Sequence, residues 1–262
     1  MISSTFVLLK GIGDTTERRL WDHGIATWAA FRSTLTIPWI STARKALYDQ
    51  QLSVADTHLA QHDSRFFTQC LKPRDHWRLY NRFRASALFL DIETTGLSAD
   101  EGEVTMVGLS SGGTMTTLIR GDSLTREHLE DHFTKASVLV TFCGTLFDVP
   151  YLKAKFPGLT VDMPHIDLCF VARRLGLRGG LKHIEREMGI ERPPHLQGLD
   201  GWDAVRLWHA WEAGDPQALA QLRAYNEADT INLNTLADLL YDQLVEHCTG
   251  SADHGTFVTS PQ

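Results

Sequence analysis

A chain of 262 residues that is 43% hydrophobic and 22% charged has ordinary globular composition, enough for one large domain with a small one beside it. No apolar run approaches the ~20 residues of a membrane span, and the first residues lack the basic-then-apolar pattern of a signal peptide; a cytoplasmic protein is expected. Four cysteines without a Cys-x-x-Cys pair argue against a zinc knuckle or a disulfide framework. The net charge of −7 hides an asymmetry: residues 1–84 carry twelve Lys/Arg against seven Asp/Glu, which is +5 and leaves −12 for residues 85–262. A basic front part suits phosphates and an acidic back part suits divalent cations, although a solvated acidic surface gives the same sum.

In chain order, Leu8 to Leu20 predicts a short helix, a glycine hairpin at Gly11-Ile12-Gly13, and a second helix that stops near Gly24. Such a turn presents backbone N–H groups at a helix start, where the dipole favours an anion. The pattern resembles a helix-hairpin-helix motif that grips DNA phosphates, with Gly11, Gly13, Arg18 and Arg19 as candidate contacts; Glu17 stands where the motif usually has a small residue. Residues 28–80 predict several helices. Lys72 to Arg84 interleaves five basic residues with Trp77, Tyr80 and Phe83, readable as a clamp for a single strand or as an amphipathic connector whose rings are core.

Beyond residue 85 the pattern changes to alternating strands and helices. Ala87 to Leu90 and Val138 to Phe142 read as buried strands, Val104 to Leu109 and Thr114 to Ile119 as a hairpin. Helices are predicted near 149–156, 167–175, 180–188 and 202–213, with a long one opened by Asp215-Pro216. The expected fold is α/β, with a mixed central sheet flanked by helices. Its expected parts are a helical region over 1–84, the main domain over 85–246, and a flexible tail over 247–262.

Three stretches carry candidate chemistry. Asp91 and Glu93 directly follow a buried strand, and strand residues two apart point the same way, so their carboxylates share one patch that a cation would neutralise. Asp148 follows the strand at 138–142 and, taken alone, reads as a helix cap ahead of Pro150. Asp229 falls on the apolar stripe of the long helix, between Leu222 and Leu233, with Tyr225 one turn earlier on the same face. An inward carboxylate needs a partner, a proton or a metal.

Asp-x-Glu after a first strand, Phe147-Asp148 about 55 residues later, and Tyr225-x-x-x-Asp229 in a late helix resemble the three exonuclease motifs of the ribonuclease H-like DEDD superfamily, in its DEDDy branch. With the glycine hairpin in front, the whole chain resembles the YprB-like exonuclease family. That resemblance implies a 3′–5′ exonuclease acting on DNA, a role in DNA repair, and two Mg2+ or Mn2+ ions held by Asp91, Glu93, Asp148 and Asp229. Tyr225 would orient the attacking water, and Lys182 is a candidate contact to a substrate phosphate. Asp167 is expected to cap the next helix. Cys143 departs from the second motif, which usually has Asn five residues before the Asp, and substrate positioning is what that departure touches. The expected partner is nucleic acid, DNA favoured over RNA, with no membrane; a helicase partner is left open. An RNA-trimming enzyme of the same fold, or a catalytically silent nucleic-acid-binding module, are the alternatives.

Overall fold

The computed structural model describes residues 1–250. The N-terminal part runs through α1 (Asp14–Asp22), α2 (Trp28–Ser33), α3 (Thr42–Ala60), α4 (Phe66–Cys70) and α5 (Tyr80–Phe83), with a 3-10 turn over Pro73–Leu79. There follow β1 (Ala87–Thr94), β2 (Val104–Ser111), β3 (Thr114–Ile119), α6 (Arg126–Lys135), β4 (Val138–Thr141), α7 (Asp148–Lys155), β5 (His165–Asp167), α8 (Leu168–Arg174), α9 (Leu181–Glu187), α10 (Gly201–Glu212) and α11 (Pro216–Thr249).

The five strands form one mixed sheet in the order β3-β2-β1-β4-β5, antiparallel across β3-β2-β1 and parallel across β1-β4-β5. β1 is central and buried on both faces, which explains its continuous apolar run. Leu88, Leu90 and Ile92 pack with Leu129 and Phe133 of α6 and Leu152 of α7 on one face. The alternate residues Ala87 and Phe89 pack against Leu233, Leu236 and Leu240 of α11 on the other. This is the mixed sheet flanked by helices that the sequence predicts.

The same apolar cluster takes in Phe6, Trp28, Phe31, Leu52 and Phe67, so the N-terminal helices share a core with the sheet's α11 face. Trp77, Tyr80 and Phe83 are buried within it, and Arg78 is buried in an ion pair with Glu17 at 2.8 Å; the rings of this connector are core rather than a clamp.

Two elements go beyond the sequence reading. α6 was hidden because only Leu129 and Phe133 of its ten residues are buried, and β5 is three residues long, too short to show a period. One expectation fails: the first helix of the N-terminal hairpin is a pair of tight turns, Leu9 N–H to Phe6 O and Ile12 N–H to Leu9 O. The stretch before Gly11 is too short to nucleate a helix, and the buried carboxylate of Glu17 accepts the N–H groups of Phe6 (2.5 Å) and Val7 (3.2 Å) and ties the segment to α1. Of the expected tail, α11 covers the start, and residues 251–262 lie outside the described residues. Among the described residues no helix is long and apolar enough to cross a membrane.

Candidate active site

β1 outruns its parallel neighbour. Its pairing with β4 ends at Phe89–Val140, whereas pairing with β2 continues through Asp91–Gly108 and Glu93–Met106. The carboxyl end of β1 therefore borders an open notch, the usual place for a ligand in an α/β sheet. Asp91 and Glu93 are in phase with Phe89 and so face α11. Gly108 makes the approach of that helix close: a Cβ there would lie 2.1 Å from Thr230 Oγ1 and 2.5 Å from Asn226 Oδ1. α11 thereby delivers Asp229, and one carboxylate oxygen from each of Asp91, Glu93 and Asp229 lies within 4.8 Å of the others.

These acids are held at an electrostatic cost. Burial first, and then the charges of Asp229, Glu93 and Asp148, hold the Asp91 carboxyl well above the usual carboxylate range. Glu93 is raised by burial and by Asp229. Asp229 is raised by burial too, against the opposing pull of Arg192 and Lys182. Asp148, the first residue of α7, stands beside this trio rather than within it; burial pushes it to about 7, with the backbone N–H groups of Asp148 and Ile92 opposing. Tyr225, buried on α11, is pushed up by burial and by Asp229, Glu93 and Asp91.

A ring of polar side chains surrounds the acids. Asn226 Nδ2 donates to Asp91 Oδ2 at 3.0 Å. Lys182 donates to the Tyr225 hydroxyl, lies 4.2 Å from that ring's centroid and 3.9 Å from Asp229 Oδ2. Arg192 pairs with Asp229 and, at 2.5 Å, with buried Glu185. Beside Glu93 opens a cavity of about 330 Å³, flanked by exposed Leu97, by Phe147 and by exposed Trp202 of α10.

A family model of the RNase_H superfamily matches residues 88–241, which spans β1 to α11 and all of these acids. The chain belongs to the RNase H superfamily. No curated protein matches it. Among solved structures it is similar to a nuclease in its apo form, with 25% identity and a TM-score of 0.48 over 68% of this chain and 80% of that one. It is also similar to Brucella melitensis NrnC with bound Mg2+ (21% identity, TM-score 0.47, 65% and 79% covered). A third likeness is to the Aedes aegypti Nibbler EXO domain (14%, 0.47, 66% and 85%).

In this RNase H fold the acidic trio fits a hard divalent cation. Its donors are all carboxylate oxygens, and Glu93 Oε1 is buried with no hydrogen-bond partner. Two loops frame it. Asp167 caps α8 through Cys169 N–H (3.1 Å), as expected, and also accepts from Cys143 (2.8 Å) and Thr145 (3.0 Å), which fixes the loop leading to Asp148. Tyr151 holds the loop after β1 by donating to Gly96 O and Ser98 O, both at 3.2 Å.

The remaining sequence candidates lie apart from the acids. Gly11 takes φ +95° in the N-terminal turn, and Gly13 precedes α1. Arg18 donates to Cys248 O, and Arg19 stacks on Trp39 at 3.9 Å, so both guanidinium groups are engaged within the chain. Sequence reasoning missed Asn226, Gly108, Glu185 and Arg192. Only Asn226 left a signal: it is four residues after Leu222 and three before Asp229, hence on the inward stripe.

Proposed function

We propose that the chain is a metal-dependent nuclease that hydrolyses phosphodiester bonds of DNA from the 3′ end, of the YprB-like exonuclease kind. The observation that carries this reading is the meeting of Asp91, Glu93 and Asp229 within 4.8 Å, with an unpartnered buried oxygen, beside an open cavity. Asp91, Glu93 and Asp229 would hold the cation, with Asp148 completing the set. When bound, Mg2+ or Mn2+ neutralises the acids, lowers the pKa of water and stabilises the leaving oxygen.

The chain's own groups do the rest. Tyr225 stays protonated, because its pKa is raised, and with Lys182 on its oxygen the phenolic proton is free to donate to a water or a phosphate oxygen. Lys182, 3.9 Å from Asp229 and not tied up as Arg192 is by Glu185, is the cation that would meet an incoming phosphate. The cavity beside Glu93 is large enough for a nucleobase, and Leu97, Phe147 and Trp202 offer it apolar faces. Residues 1–84 serve as a helical appendage to the hydrolytic domain, and the Gly11–Gly13 turn is what inclines the substrate reading to DNA and to repair.

The test is digestion of 5′-labelled DNA and RNA, single- and double-stranded, with magnesium or with EDTA. Shortening from the 3′ end in magnesium alone, abolished by Asp91→Ala, is expected. Digestion by Asp91→Ala at the parent rate refutes the assignment, and inertness of the parent toward every substrate with manganese still bound marks a silent module. Faster trimming of RNA than of DNA overturns the choice of sugar only.

A further inference from the structure

A second cavity, of about 610 Å³, lies on the other side of the loop that leads to Asp148. The N-terminal part contributes Arg74 and Trp77 to it, α8 contributes Phe170, Arg173 and Arg174, and the loop contributes Thr145. It is thus a seam between the helical appendage and the superfamily domain. Two features point to a ligand. Phe170 is 39% exposed, unusual for a phenylalanine within a helix that otherwise buries Leu168, Cys169, Val171 and Ala172. Above its ring, at 5.4 Å, stands the Arg173 guanidinium, which has no carboxylate partner among the described residues. Arg174 lies 5.6 Å over Trp77 and 3.7 Å from Asp75, and Arg74 reaches Asp14 at 3.1 Å. Three arginines thus face a groove whose one exposed acid is Asp14.

The groove and the catalytic cavity share a wall. Thr145 lines the first and Phe147 the second, two residues apart and so within about 7 Å along the chain. Asp167 holds that wall by two backbone bonds, so the openings are fixed relative to each other. An exposed ring beside the carboxylate-free guanidinium of Arg173 and the loosely paired one of Arg174, which also donates to Arg74 O at 3.0 Å, suits a stacked base and its phosphates. Stacking on a side-chain ring needs a base face freed from its neighbour, as a flexible single strand offers.

We propose that this groove seats a single strand of nucleic acid upstream of the terminal nucleotide, with a base on Phe170 and phosphates on Arg173 and Arg174. Its placement as the upstream track rests on the nuclease reading, whereas strand binding itself does not.

Fluorescence anisotropy in EDTA, with oligothymidylate and oligouridylate of about 3 and about 15 nucleotides, tests it. The parent binds the long strand more tightly than the short one. The double variant Phe170→Ala/Arg173→Ala lowers that ratio about tenfold, Phe170→Trp keeps it, and Arg173→Ala alone reduces the salt slope of the long strand by about 0.7. The exposed Arg173→Ala variant decides the matter should the double variant lose its thermal transition. A parent with no length preference overturns the proposal, as does a variant with the parent's ratio and slope. Length-dependent binding in a chain that hydrolyses nothing in magnesium sinks the nuclease reading and leaves the groove standing. Hydrolysis with an unaltered ratio in the variant sinks the groove alone.

Discussion

The Arg192 guanidinium joins two buried acids, pairing through Nη1 with Asp229 Oδ1 while its Nε and Nη2 rest on Glu185 at 2.5 and 2.6 Å. Asn232 completes Glu185 with a bond of 3.0 Å. Arg192 is therefore a tethered counter-charge for an acid that the metal site would share. Removing one partner of a buried pair strands the other, whereas removing both does not. Arg192→Met should cost about 3–5 kcal/mol, and Glu185→Met/Arg192→Met, which still leaves Asp229 without this counter-charge, should recover part of that loss. Urea denaturation of the three proteins measures it; equal losses in the single and double variants would show that a stranded Glu185 is not the source of the cost.

Without a cation the acidic trio should make the protein sensitive to alkali. The folded-state pKa values of Asp91, Glu93 and Asp229 are raised, as is that of Asp148, to about 7. Unfolded carboxyls have released their protons once pH passes about 4, so the native state holds more protons and stability falls as pH rises through about 7. In EDTA the melting temperature should drop by about 5 °C or more between about pH 5 and about pH 8. Manganese should shrink that drop and, in calorimetry near neutrality, release protons on binding. A flat profile in EDTA would contradict the raised carboxyls.

Much of this geometry was legible from spacing. The period of two along β1 put Asp91 and Glu93 on one face, and the stripe of α11 put Asp229 and Tyr225 inward, because burial repeats with the backbone. The fold class followed from the same alternation. Arg192 was not legible: it lies in an irregular stretch after α9, and its pairing with Asp229 depends on tertiary placement alone. The N-terminal hairpin misled for a related reason, since its apolar spacing suits a helix while the segment before Gly11 is too short to nucleate one and is held instead by packing on α1 and by Glu17.

Gly108 sets the distance between sheet and helix, and the cost of filling it can be measured. An added methyl would meet Thr230 and Asn226, both fully buried, and neither is the far end of a flexible chain. Gly108→Ala should destabilise by about 1–3 kcal/mol through overpacking and should weaken manganese binding by moving Asn226 off Asp91. Gly108→Ala/Asn226→Ala, which removes the contact with Asn226 and leaves the one with Thr230, should recover part of the stability but not the manganese affinity. If Gly108→Ala binds manganese like the parent, Asn226 does not hold Asp91 for the cation.

Cys143 occupies the left-handed region at φ +62°, where a side chain branched at Cβ is strained and Asn is tolerated. Its N–H is fixed by Asp167, so the loop cannot relax by turning over. Its thiol is no ready nucleophile, because burial and the neighbouring Cys169 push it up to about 12. The position therefore has a conformational demand that cysteine meets poorly. Cys143→Asn should raise the urea midpoint, by about 0.5–1 kcal/mol in stability, while Cys143→Val should lower it by a larger amount. Should Val prove as stable as Asn here, the backbone of the 143–145 loop is not held in the conformation that brings Asp148 beside the acidic trio.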